Sequence, residues 1–208
     1  VVMSESLKLL EWAREIYSLS QAGITYSQND YDIDRYKRLQ EITAEMLASQ
    51  SDLSEAEVLH SFSLQSGYAT PKIDVRAAVI RDDKILLVRE RADGKWAMPG
   101  GWGDIGDAPA EMAAREVWEE SGFKVSVDKF VGLYDANRLQ PLEFYHCYKL
   151  IFMCTIQSGQ ATPSIETLDV DFFAFDELPP LSEMRTNQRI LNEVFAHYAN
   201  PGRPAFFE

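Results

Sequence analysis

Residues 97–123, AMPGGWGDIGDAPAEMAAREVWEESGF, decide how the rest of this chain is read. The stretch is a glycine-rich loop, a short helix and a glycine stop. On a helix, Arg115, Glu116, Glu119 and Glu120 share one side, because residues three and four apart point the same way. Like charges at that spacing cost about 0.2–0.5 kcal/mol per pair, and a divalent cation offsets that repulsion directly. Carboxylate oxygens suit Mg2+ or Mn2+. The opposite side carries Ala110, Ala113, Ala114 and Val117 in the i, i+3, i+4, i+7 pattern of a buried stripe. Asp107 and Pro109 mark the start of the helix and Gly122 its end.

Outward from the helix, residues 75–80 and 85–88 are β-rich runs joined by Arg81-Asp82-Asp83-Lys84, which predicts a hairpin. Residues 125–134, 145–156 and 170–175 read as further strands, and 187–198 as a closing helix carrying Ile190, Leu191, Val194 and Phe195. Upstream the pattern is helical. A first helix runs from Ser6 with Gly23 at its end. A second covers 32–48 with Tyr36, Leu39, Ile42, Thr43, Met46 and Leu47 facing inward, and a third opens at Ser54, which stands at capping-box spacing from Glu57. The reading is a small all-helical domain at 1–66, a turn-rich linker at 67–72 and an α/β sandwich with a mixed sheet at 73–208.

Composition bounds the partners. The 208 residues include 33 acidic and 20 basic side chains, a formal net charge of −13. That balance disfavours an extended grip on nucleic acid or on an anionic membrane. No apolar run has membrane-spanning length, so no membrane partner is expected. Cys147 and Cys154 are seven residues apart in one strand pattern, on opposite faces and too distant to bond to each other. They read as buried thiols of a cytoplasmic protein.

The central stretch resembles the box of the Nudix hydrolases: Gly, five residues, Glu, seven residues, Arg-Glu, an aliphatic, any residue, Glu-Glu, any residue, Gly, an aliphatic. Gly101, Arg115, Glu116, Val117, Glu119, Glu120 and Gly122 fall in register, while Asp107 stands in place of the Glu and Phe123 in place of the last aliphatic. The resemblance implies the α/β/α sandwich and a metal held by Glu116, Glu119, Glu120 and the carbonyl of Gly100. It also implies that Arg115 orients Glu116, and that Glu116 or Glu120, or an acid in a later loop, takes the proton from water. Glu166 and Asp169 are the loop candidates. For the phosphates, Arg89 and the backbone at Gly101 are the candidates. Tyr26, Trp102, Tyr134 and Phe144 are aromatics able to stack a base, with core packing as the default for each.

The N-terminal unit, through Leu10-Glu11-Trp12-Ala13-Arg14 and Gln21-Ala22-Gly23 with Tyr26, resembles the helical extension of a Nudix subgroup acting on nucleoside diphosphates linked to a second moiety. This implies a homodimeric, Mg2+- or Mn2+-dependent pyrophosphatase, with CDP-choline as the first substrate and ADP-ribose as its rival. A non-catalytic nucleotide-sugar sensor and an RNA end-processing hydrolase are the alternatives from other classes.

Overall fold

The computed structural model describes residues 5–49, 53–64, 67–138 and 145–208. Gln65 and Ser66, at the end of the expected helical domain, and Phe144 lie outside the described residues. The chain divides into two compact units between Pro71 and Lys72, with residues 145–146 grouping with the first. Lys72, assigned to the linker from sequence, is the first residue of a strand.

The first unit holds α1 (Glu5–Tyr26), α2 (Asp30–Ala48) and α3 (Glu55–Ser63). Its core gathers Ala13, Ala44, Leu47, Val58 and Phe62, with Tyr17 stacked on Phe62 at 4.1 Å. The capping box is formed: Ser54 Oγ accepts from Glu57 N at 3.3 Å, and Ser54 N donates to the Glu57 carboxylate at 2.8 Å. Two expectations are corrected. Gly23 does not end α1, which continues to Tyr26. A Cβ at Gly23 would run into the Tyr36 ring, so this glycine serves the close crossing of α1 and α2 rather than a cap. Leu39 and Ile42 do not face inward. Thr43, Ala44 and Leu47 form the buried line of α2, and Leu39, Ile42, Trp12 and Leu19 stay exposed.

The second unit is a mixed eight-stranded sheet with one helix against each face. Its strands are β1 (Lys72–Arg81), β2 (Lys84–Glu90), β3 (Trp96–Ala97), β4 (Gly100–Trp102), β5 (Phe123–Asp135), β6 (Cys147–Gly159), β7 (Thr167–Ala174) and β8 (Phe206–Phe207). The main order is β3-β2-β1-β6-β5-β8, with β7 beside β2 and β4 beside β1. The pairs β1–β6 and β5–β8 are parallel, and the others are antiparallel. Asp82 and Asp83 close the β1–β2 hairpin with φ of 51° and 58°, the left-handed pair that a two-residue connection requires. The short strands β3, β4 and β8 are below the length at which sequence alternation is readable.

Strand alternation sorts the core into two layers. Val75, Ala77, Val79, Leu86 and Val88 pack on one face with Met112, Ala113 and Val117 of α4 (Pro109–Ser121). Ala78, Ile85 and Leu87 pack on the other with Ile190, Leu191 and Val194 of α5 (Gln188–Ala199). Both cysteines are buried thiols, and burial among apolar groups pushes Cys154 up to about 12.

One edge of β1 positions the functional region. Along its other edge β1 pairs with β6 from Lys72 to Val79. Here it pairs first with β4, from Asp74 to Arg76, and then with β2, from Ile80 to Arg81. Between the two, Ala77 N donates to the Pro99 carbonyl at 2.9 Å. The sheet thus splits where β4 and β2 take turns on one strand, and the carboxylates of α4 arrive at that split.

Candidate active site

A cleft of about 450 Å³ opens at the split, lined by Asp74, Arg76, Glu90, Gly100, Gly101, Trp102, Glu116, Glu120, Glu166, Met184 and Arg185. Helix α4 is placed by its ends. Gly122 terminates it at φ 77°, and a Cβ there would lie 2.6 Å from the Gln160 carbonyl. At the start, Ala108 is the cap and no side chain caps it. Asp107, read from sequence as part of the helix start, instead accepts from Arg115 Nη2 at 3.1 Å.

The helix presents its glutamates to different surroundings. Glu120 is buried, and its Oε2 accepts from Gly100 N at 2.9 Å, which ties the C-terminal half of α4 to the start of β4, a short strand where the sequence predicted a glycine-rich loop. Burial, reinforced by Glu90 and Glu116 and opposed by Arg76 and the Gly100 N–H, pushes its carboxyl up to about 8. Glu116 is half-buried and burial raises it too, against the pull of Arg115. Gly101 leaves it room: a Cβ there would stand 3.3 Å from Glu116 Oε2. Glu119 is 45% exposed, accepts from Arg115 Nη1 at 3.1 Å and does not line the cleft.

Arg115 is a hub. Nη1 lies 3.2 Å from Glu116 and 3.1 Å from Glu119, while Nη2 donates to Asp104 at 3.0 Å and to Asp107 at 3.1 Å. The expected Arg115–Glu116 contact is therefore present, and Asp104 is a partner that sequence reading did not name.

The other wall is assembled from distant segments. Arg76 of β1 is buried, with Nε on Asp74 at 2.9 Å; Lys149 Nζ holds the other oxygen of Asp74 at 2.6 Å. Glu90 closes β2, 3.9 Å from Arg76 Nη1 and 3.4 Å from Arg185 Nε, and burial raises its carboxyl against both arginines. Asp74, Arg76, Glu90, Met184 and Arg185 were missed from sequence. A buried Asp-x-Arg in a strand was their one visible signal, since charges alternating with Val75 and Ala77 inside a β-rich run demand a partner.

Of the two loop acids, Glu166 lines the cleft, and its carbonyl accepts from Arg91 N at 3.0 Å. Asp169 sits opposite Arg89 in the β2–β7 ladder and accepts from Val170 N at 2.9 Å. Arg89 donates through Nε to the Gly94 carbonyl at 2.9 Å, and neither residue borders the cleft. Among the aromatics, Trp102 lines the cleft and is 47% exposed, Tyr134 is in the core and Tyr26 is exposed on α1.

The donor set fits a hard divalent cation. It consists of oxygens, and the two α4 carboxylates bordering the cleft are raised by burial, so a cation nearby stabilises their charged forms. Among the described residues no three acidic, histidine or cysteine side chains converge as a finished cage. Glu119 pairs with Arg115 and Glu120 accepts from Gly100 N, and Glu116 and Glu120 are the α4 carboxylates at the cleft on which a cation would draw.

A family profile described as a NUDIX domain matches residues 70–194, and a second, described as a UDP-X-like N-terminal oligomerisation domain, matches residues 7–62. The chain is 38% identical over 202 residues to a putative ADP-ribose pyrophosphatase of Bacillus subtilis, covering 97% of each. It is also similar to the crystal structure of a UDP-X diphosphatase, at 34% identity and TM-score 0.64, covering 99% of this chain and 100% of that one. An ADP-ribose pyrophosphatase from Streptococcus suis superposes with TM-score 0.63 at 33% identity, over 67% of this chain and 100% of that one.

Proposed function

The chain belongs to the Nudix hydrolases, and on that premise we propose that it cleaves a nucleoside diphosphate linked to a second moiety, X, into a nucleoside monophosphate and phospho-X. The supporting observation is a single cleft that joins Glu116, Glu120 and Gly100 and Gly101 at the start of β4 to two arginines, Arg76 and Arg185. A diphosphate needs both kinds of group, acids to hold a cation over its oxygens and fixed cations to neutralise the remainder.

Glu116, Glu119, Glu120 and the carbonyl of Gly100 are the groups that would hold Mg2+ or Mn2+, and such an ion, when bound, neutralises phosphate oxygens and acidifies a water. Arg115 fixes Glu116 through a charge-assisted contact and is itself held by Asp104 and Asp107, so the carboxylate is presented in one orientation. A cleft carboxylate, Glu116, Glu120 or Glu166, takes the proton from the attacking water. The P–O bond to the bridging oxygen breaks as the new P–O bond forms. Gly101 brings backbone close to the phosphates. Arg89, expected at the phosphates, and Asp169, expected as an alternative base, lie outside the cleft and take no part in this reading.

ADP-ribose is the conjugate we place first, because two relatives at 33–38% identity carry that name. CDP-choline and UDP conjugates belong in the same assay. Product release would be measured with Mg2+, Mn2+ or chelator, on wild type and Glu120→Gln. Metal-dependent formation of AMP and ribose 5-phosphate that is lost in the variant is the expected result. Turnover of another conjugate alone would reassign X, and tight binding of one without turnover would favour a sensor.

We also propose that the first unit makes a homodimer contact, through the exposed Trp12, Leu19, Leu39 and Ile42. The description of the matching N-terminal profile supports this. Light scattering should find a dimer in wild type and a monomer in Leu39→Glu/Ile42→Glu; an unchanged mass in the variant would refute this surface.

A further inference from the structure

The cleft contains five acids, Asp74, Glu90, Glu116, Glu120 and Glu166, against two cations. Arg76 is only 5% exposed and is engaged by Asp74, with Nη1 donating to the Met98 carbonyl at 3.3 Å. Arg185, 31% exposed at its side chain, is the cation a ligand can reach.

Its position is over-determined. Nε lies 3.4 Å from Glu90 Oε1, and Nη1 lies 3.5 Å from Asp93 Oδ2 and donates to Ser182 Oγ at 3.0 Å. Ser182 Oγ in turn donates to Asp93 Oδ2 at 2.7 Å. The backbone beneath is equally fixed. Arg185 N and Thr186 N both donate to the Ser182 carbonyl at 2.8 Å, Ser182 N donates to the Trp96 carbonyl at 2.8 Å, and Met98 N donates to Thr186 Oγ1 at 2.9 Å. Among the described residues, Arg185 Nη2 meets no acceptor.

We infer that Arg185 is a substrate-binding residue that receives the phosphoryl group of the diphosphate lying away from the α4 carboxylates. This rests on the diphosphate-hydrolase reading above. Arg185 comes from the segment before α5 and Glu116 and Glu120 from α4, so one cleft offers a cation and metal-holding carboxylates from separate segments, one for each phosphoryl group. Glu90 and Asp93 hold the guanidinium in place before the ligand arrives, so little side-chain freedom is lost on binding. A guanidinium fork also meets phosphate oxygens with a geometry that an ammonium lacks. The dull alternative is that Arg185 merely latches the segment before α5 to the end of β2.

The test uses Arg185→Gln and Arg185→Lys in the full chain, with three readouts: steady-state kinetics on ADP-ribose, calorimetric binding of α,β-methylene-ADP with Mg2+, and thermal melting. Loss of a charged hydrogen bond should raise KM and weaken α,β-methylene-ADP binding by about 10- to 100-fold in Arg185→Gln, with kcat and the melting temperature far less affected. Arg185→Lys should fall between it and wild type, and keeps the test open if the Gln variant does not fold. If wild type is active and both variants keep KM and α,β-methylene-ADP affinity within twofold, the inference is wrong and the hydrolase reading stands. A lowered melting temperature with unchanged KM would assign the latch instead. Wild type that neither hydrolyses the conjugates nor binds α,β-methylene-ADP would remove the hydrolase reading and this inference with it.

Discussion

One wall of the cleft comes from a single helix, which contributes Glu116 and Glu120, with Arg115 and Glu119 in the same two turns but outside the lining. The facing wall takes Arg76 from β1, Glu90 from the end of β2, Glu166 from the loop before β7 and Arg185 from the segment before α5. The first wall is a matter of helical period. The second exists because β1 changes partners from β4 to β2, and because the chain following β7 returns to Trp96 and Met98. On the reading proposed above, the helix would hold the cation whichever conjugate binds, and the composite wall would read phosphate and X. Within α4 a second contrast appears: adjacent glutamates, Glu119 and Glu120, differ because one is paired with Arg115 near solvent and the other is buried on a backbone N–H.

The largest expected effect is on the acidic wall. Glu120→Gln keeps shape and the acceptor for Gly100 N but removes the charge, and kcat/KM should fall by on the order of 10²–10⁴-fold. Activity within tenfold of wild type would move the chemistry off this helix. On the composite wall the corresponding loss is one of stability. Arg76→Met leaves Asp74 buried with Lys149 alone, and denaturant unfolding should report a loss of about 3–5 kcal/mol. A change below about 1 kcal/mol would mean that Lys149 suffices for Asp74.

The walls also meet electrically at Glu120. Its carboxyl is raised from an ordinary 4.5 to about 8, chiefly by burial, so between those values the folded protein binds a proton that the unfolded chain has released. Stability of the metal-free protein should therefore fall as pH rises from about 4.5 to 8. Melting in chelator at several pH values checks the sign, and Glu120→Gln should flatten the slope. The smallest effect is expected at Asp107→Asn. Arg115 retains Asp104, Glu116 and Glu119, so kcat/KM should drop by less than about tenfold. A larger drop would give Asp107 a share in holding the metal.

Legibility follows the range of the interaction. The hairpin at Asp82-Asp83, the capping box at Ser54 and Glu57 and the Gly122 stop are all decided within a few residues, and each forms as its spacing predicts. Gly23 shows where local reading fails. A helical glycine reads as a stop, but here the Tyr36 ring of another helix occupies the space its missing Cβ leaves. Leu39 and Ile42 fail in the same way, since periodicity says that a stripe is apolar and not what covers it.

By itself, then, the sequence determined the order of the longer elements and the helix that brings three glutamates and an arginine together, because hydrophobic period and turn chemistry act locally, and the resemblance of its box pointed to the family. Tertiary structure alone decided which of those glutamates is buried. It also decided that Glu166 rather than Asp169 borders the cleft, and that Arg76 and Arg185 rather than Arg89 face the acids. Burial and charge pairing are set by what distant segments place around a group, and no spacing in the chain encodes that.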